Sequence, residues 1–333
     1  MVRIGRRAAV AVLAGLFAVA SVSVFASPLR WASEWPDTDF SKHTVDLSEI
    51  FSGGPPKDGI PSIDAPVFVT VAESKDLEAK EPAIGLVVNG DARAYPLRIL
   101  TWHEIVNDTV GGVPVAVTYC PLCNAAIVFD RRLEGRVLEF GTTGKLRNSD
   151  LVMYDRQTES WWQQFSGEAI VGDLSGATLT MLPARLESWE RFQARAPDGR
   201  VLVPNNPRMR DYGRNPYVGY DRRDAPYGLY RGPLPTDINP MARVVAVEDR
   251  AWTMLLLRDK RTIVDGDMTI RWVPGQTSAL DAARIPDGRD VGNVIVQRGT
   301  GDAAEDVVHD ITFAFVFRAF RPDGVIHETW PEQ

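Results

Sequence analysis

"VTYCPLCNAAIVFD", residues 117–130, holds both cysteines of the chain, Cys120 and Cys123, in one Cys-x-x-Cys. Apolar residues precede the pair, and Ile127, Val128 and Phe129 follow it before an Asp-Arg-Arg-Leu-Glu-Gly turn. A thioredoxin-type dithiol starts a helix, whose N-terminal amides and dipole lower the first thiol's pKa. Here the order is strand, turn, strand. The pair therefore sits at the tip of a predicted β-hairpin.

From about residue 66 short β-like segments alternate with turn signals: "VFVTVA", "AIGLVV", "ARAYPL", "VPVAVTY", "RVLEFG", "LVMYD", "EAIVGD" and "ATLTML". Asn89-Gly90 between apolar flanks marks a hairpin. Two segments read as helices: "LRILTWHEIVND", and "SWERFQARA" with Ser188 as N-cap and Trp189 and Phe192 on one face. The expected fold is α+β and β-dominated, with many short, mainly antiparallel strands and a few short helices. Residues 27–62, rich in Pro, Gly, Ser and Asp, form an extended lead-in to one domain over 63–333. Residues 203–233 form a long Arg-, Asn-, Pro- and Tyr-rich loop, and loops of that length are functional or cover something. Beyond it, "VVAVEDRAWTMLLLRDKRTIVDG…MTIRWVPGQTSAL" repeats the order of "LVVNGDARAYPLRILTWHEIVND…VAVTYCPLCNAAI". If that match exceeds chance among apolar strands, lobes 63–202 and 240–325 are related through loop 203–233, and only the first kept its thiols.

The N-terminus predicts the compartment. "MVRIGRR" is followed by the uncharged run "AAVAVLAGLFAVASVSVFA", ending Val24-Phe25-Ala26. This is the pattern of a signal peptide over residues 1–26; the alternative is an uncleaved N-terminal anchor. Arg6-Arg7 raises the twin-arginine route, although "AAV" after the pair fits it poorly. The expected location is periplasmic or extracellular, with no stable membrane span after cleavage. Cleavage removes three arginines and no acid, so the net charge of -7 becomes -10. Such a balance argues against a nucleic-acid partner, and no other partner is indicated.

Cys-Pro-x-Cys at a hairpin tip aims two sulfurs at one point, as in metal knuckles, but no second Cys-x-x-Cys completes a site. Other ligands must come from elsewhere. His103, in "TWHEIVND" just before the cysteine strand, is the first candidate; His309 is the second, and Met153 a softer one. Two thiolates and one imidazole suit copper ahead of zinc. An inert disulfide across so short a loop would contribute only roughly 2 kcal/mol, and a strained, easily reduced bridge leads back to redox chemistry. No phosphate-cradling glycine loop, dinucleotide fingerprint or His-Glu-x-x-His occurs, so no nucleotide cofactor is expected.

"LTWHEIVNDTVGGVPVAVTYCPLCNAAIVFDR", "SDLVMYDRQTESWWQQFSGEAIVG" and "YGRNPYVGYD" together resemble the bacterial and archaeal family known as domain of unknown function 3179. The resemblance runs from about Gly59 to Asp323 and weakens towards the C-terminus. It implies secretion and a single family-wide domain, and it brings no reaction with it. The family's recurring elements fall on His103, Cys120, Cys123, Asp155, Arg156, Thr158, Ser160 and Trp162. Asp155, Arg156, Glu159 and Glu168 beside Trp161 and Trp162 form either a polar pocket with an aromatic wall or a turn over a tryptophan core. The leading expectation is an exported copper or zinc protein, a carrier or redox centre, on Cys120, Cys123 and His103. The alternatives are a thiol–disulfide oxidoreductase and a non-catalytic carbohydrate- or peptide-binding module.

Overall fold

The computed structural model describes residues 31–331, so the expected signal peptide lies outside the described residues. Strands β1 (Pro82–Val88) and β2 (Asp91–Pro96) form a hairpin on Asn89-Gly90, whose φ angles of 49° and 81° are those of the left-handed turn that Asn-Gly favours. Helix α1 (Leu97–His103) follows directly. Two turns do not persist alone in water, and α1 is held by burial of Leu97, Ile99 and Leu100. The expected helix through Asp108 ends at His103 instead. Glu104, at φ 59°, turns the chain, and Ile105, Val106, Thr109 and Val110 prefer the pleated β3 (Ile105–Val110). β3 pairs antiparallel with β4 (Val113–Cys120), and β4 with β5 (Ala125–Asp130), which makes the cysteine hairpin.

Strands β6 (Phe140–Arg147), β7 (Asp150–Asp155), β8 (Trp161–Gln163) and β9 (Ala169–Val171) then form an antiparallel sheet, edged by Ile50–Ser52 of the lead-in. β10 (Met181–Leu182) returns to β5, giving the order β10-β5-β4-β3. β11 (Arg185–Ser188), α2 (Trp189–Arg195) and β12 (Arg200–Val203) complete a sheet β11-β1-β2-β12, with Val67–Thr70 outside β12. Ser188 stands at the N-cap position of α2 but makes no side-chain cap, while Trp189 and Phe192 are buried as the helical spacing requires.

The same order of elements recurs after the long loop. β13 (Arg243–Val247), β14 (Arg250–Thr253), α3 (Met254–Lys260), β15 (Thr262–Asp265), β16 (Met268–Val273), β17 (Asn293–Arg298) and β18 (Glu305–Asp306) lead to β19 (Asp310–Phe313), α4 (Ala314–Phe320) and β20 (Val325–His327). Their sheets run β19-β13-β14-β20 and β18-β17-β16-β15. Arg93 pairs with Asp108 in the first half, and Arg250 with Asp265 in the second. α1 and α3 both stop on a residue of positive φ, Glu104 and Arg261. One difference positions the site: the first half inserts β6–β9 between β5 and β10, and a turn of that insertion faces the cysteines. The fold is β-dominated, its strands short and mainly antiparallel, with four α-helices of seven residues each among the described residues. No described helix is long and apolar enough to cross a membrane.

Candidate metal centre

The turn from Cys120 to Ala125 is closed by backbone bonds from Cys123 N to the Cys120 carbonyl (3.2 Å) and from Asn124 N to the Pro121 carbonyl (3.2 Å). The second half of the chain buttresses it. Thr312 Oγ1 donates to the Cys123 carbonyl (2.8 Å), and Asn124 Nδ2 donates to the Ile311 carbonyl (2.7 Å). Opposite stands the β6–β7 turn, Asn148-Ser149, with φ of 54° and 64°. Neither residue is glycine, and two consecutive positive φ values carry backbone strain that the flanking ladder, with Arg147 opposite Asp150, must impose. This turn aims the Ser149 carbonyl at both thiols, which lie 3.4 Å (Cys123 Sγ) and 3.7 Å (Cys120 Sγ) from it. It also starts β7 with Asp150. Both cysteines are free, and the two sulfurs and an Asp150 carboxylate oxygen all lie within 4.8 Å of one another.

Burial dominates the electrostatics. Asp150 is fully buried; Gln163 Nε2 (2.5 Å) and the Phe165 amide (2.8 Å) donate to its Oδ2. Its Oδ1 is buried with no hydrogen-bond partner. Loss of water pushes the Asp150 carboxyl up to about 6, even though these donors and the thiols pull it down. Burial likewise raises both thiols, Cys123 strongly. Glu104, buried and without a side-chain hydrogen bond among the described residues, is pushed up to about 8 by burial and by the charge of Asp150. A thiol with a raised pKa is a poor nucleophile. The set is instead two protonated thiols beside a buried carboxylate, and a cation bound there would deprotonate the thiols.

His103 does not join this group. Its Nδ1 bonds the Pro61 carbonyl (2.7 Å), its Nε2 bonds Tyr212 Oη (2.8 Å), and its ring stacks on Tyr212. It is the last residue of α1, and after the turn at Glu104 the next side chain, not the imidazole, lines a cavity with Leu122 and Leu151. His309 is also elsewhere, with Nδ1 on the Val307 carbonyl (2.8 Å). Met153 is buried in the same apolar cluster as the cysteines. Of the five residues of the expected polar pocket, Asp155, Trp161 and Trp162 are fully buried. Asp155 is fully buried; it accepts from Thr158 N (2.7 Å) and Trp162 Nε1 (2.9 Å) and so closes the β7–β8 turn. Trp161 packs on Trp31, Trp35 and Phe40, and Trp162 on Phe140, leaving no face for a ligand. Arg156 pairs with Asp64 (3.0 Å), and Glu159 with Lys57.

Asp150 and Glu104 are the residues that sequence reasoning missed. Both lie inside the quoted motifs, "SDLVMYD" and "TWHEIVND". The available signal was Asn-Ser between two β segments, a two-residue turn that delivers the next side chain back towards the sheet.

The 203–233 loop covers this centre. Tyr220 is fully buried, donates to the Leu122 carbonyl (2.9 Å) and stacks on Tyr227. The adjacent Asp221 anchors the loop to the second half through Arg243 (2.8 Å), Arg289 (2.8 Å) and Ser278 (2.5 Å). Between loop, lead-in and β6–β7 remains a cavity of about 390 Å³, with Glu104, Leu122, Leu151, Tyr217 and Tyr227 in its wall. Gly144, at φ 69°, lies in that wall too, at the bulge of β6, where a Cβ would overlap the Pro55 carbonyl.

No curated protein and no solved structure matches the chain. Over residues 57–324, which include the hairpin, Asp150 and the covering loop, the chain matches the family described as "Protein of unknown function (DUF3179)", and it belongs to that family.

Proposed function

We propose that this is a metal-binding protein whose centre is Cys120, Cys123 and Asp150. The observation that carries the reading is Asp150, a fully buried carboxylate whose Oδ1 has no hydrogen-bond partner and one of whose oxygens lies within 4.8 Å of two free thiols. A buried acceptor left unpaired costs about 1–3 kcal/mol, more when charged; a cation shared with two thiolates removes that cost. The preference for copper rested on an imidazole ligand. With a carboxylate in its place the set is two sulfurs and one oxygen, a harder set, and zinc moves ahead of copper. The raised thiol pKa values tell against a thiol–disulfide oxidoreductase, and the burial of Trp161 and Trp162 against a sugar- or peptide-stacking surface. Export rests on the reading of residues 1–26. In an oxidising compartment bound metal would also keep the thiols from pairing.

Metal analysis of the purified full chain tests the centre. Wild type is expected to hold one zinc per chain, Cys120→Ser and Asp150→Asn none, and His103→Ala the full complement. Metal-free wild type under zinc-replete expression, or loss of metal from His103→Ala with retention in Asp150→Asn, would overturn it.

A further inference from the structure

We propose that the cavity of about 390 Å³ under the 203–233 loop is a binding site for a primary ammonium ligand with an apolar body, its charge held by Glu104. The inference goes beyond the metal reading and does not depend on it, because Cys120, Cys123 and Asp150 do not line this cavity. Its wall is assembled from separate parts of the chain. The lead-in gives Ile60, the turn after α1 gives Glu104, the cysteine hairpin gives Leu122, and the covering loop gives Tyr217, Tyr227 and Leu229. A volume of that size suits a small molecule and far exceeds the room one water needs.

Glu104 is only 7% exposed. Its amide donates to the Leu100 carbonyl (2.7 Å) and its carbonyl accepts from the Tyr119 amide (2.8 Å), so both backbone groups are spent inside the fold. The side chain is what it presents to a ligand. That carboxyl has no hydrogen bond or ion pair among the described residues, and, unlike Asp150 Oδ1, neither of its oxygens is sealed inside protein. A buried carboxyl with unpaired oxygens costs free energy, which a ligand donor removes. The hydroxyls of Tyr217 and Tyr227 likewise have no hydrogen-bond partner among the described residues. The other charge in the wall, Lys145, is 4% exposed and already holds Glu34 (2.8 Å), which leaves an anionic ligand without a counter-charge. A cation is the complement. A primary ammonium brings three donors for one carboxylate and two phenol oxygens, and the aliphatic side chains of Ile60, Leu122 and Leu229 suit its stem. Burial pushes the Glu104 carboxyl up to about 8, and a cation in the cavity favours its charged form.

The experiment uses the full chain, stripped of metal by chelator and dialysed, in calorimetric titrations with benzylammonium and with its uncharged counterpart, benzyl alcohol. Wild type is expected to bind one benzylammonium saturably, about tenfold tighter than the alcohol. Glu104→Gln should lower the ammonium affinity about tenfold, the loss of one hydrogen bond to a charged group, and leave the alcohol unchanged. Tyr217→Phe should lower it about threefold, the loss of a weaker bond. No saturable binding of benzylammonium, an alcohol bound as tightly, or equal ammonium affinity in wild type and Glu104→Gln would each overturn the inference. Binding seen only in zinc-loaded protein would place the amine on the metal, and would overturn the inference while leaving the metal reading standing. The wild-type comparison decides the charge preference even if a variant does not fold.

Discussion

Asp150→Asn should make the metal-free protein more stable and abolish the proposed metal site. The Asp150 carboxyl, ordinarily near 3.8, is pushed up to about 6 by burial. Below pH 3.8 it is protonated in both the folded and the unfolded chain, and burial penalises neither state. Between the two values the unfolded chain releases its proton while the folded chain retains it, so stability falls as pH rises. Above about 6 the full penalty is present. At about 1.4 kcal/mol per pH unit the gap is worth about 3 kcal/mol. Asparagine keeps an acceptor for Gln163 Nε2 and the Phe165 amide and carries no charge. With chelator present, urea unfolding near pH 4 should give similar stabilities for the two proteins. At pH 7.5 the variant should be ahead by up to about 3 kcal/mol. Zinc at about a thousandfold its dissociation constant should add about 4 kcal/mol to wild type alone and reverse the order. A variant less stable than wild type at pH 7.5 without metal, or a gap that does not change with pH, would refute the reasoning.

Two further outcomes are expected. Asp221→Ala leaves the nearly buried Arg243 guanidinium without its carboxylate and weakens the hold of the 203–233 loop; urea unfolding should show a loss of about 3–5 kcal/mol, and a loss below about 1 kcal/mol would mean that the loop is held otherwise. Cys120 and Cys123 are 2% and 0% exposed with raised pKa values, so an aromatic disulfide reagent at pH 7.5 should modify them roughly a hundredfold more slowly in the native metal-free protein than in urea; comparable rates would show that the pair is open to solvent.

Local chemistry was legible wherever neighbours in sequence decide the outcome. Asn89-Gly90 makes its hairpin because only that backbone handedness matches the strand twist, and "CPLCNAAIVFD" continues as a strand because its β-branched and aromatic residues fit a pleated surface. The end of α1 was harder to see. "LRILTWHEIVND" has apolar spacing that serves a helix or a strand, and pairing with β4 decided for the strand after Glu104. The burial of Trp161 under Trp31 and Trp35 depends on the lead-in folding back over β7–β8, which no local pattern announces.

The sequence alone determined that two thiols share one tight bend between strands, since four residues between a β-branched run and an apolar run leave the chain little choice. Only the tertiary structure decided what meets them. Three or more ligating groups can converge from distant positions only through packing, and here the β6–β7 insertion brings Asp150 to the sulfurs across 27 residues of chain after Cys123. The nearer His103 is turned to Pro61 and Tyr212 by the helix end that places Glu104 on the cavity side. Proximity in sequence favoured the imidazole; the direction of a side chain at a helix terminus is set by the backbone, and it selected the carboxylates.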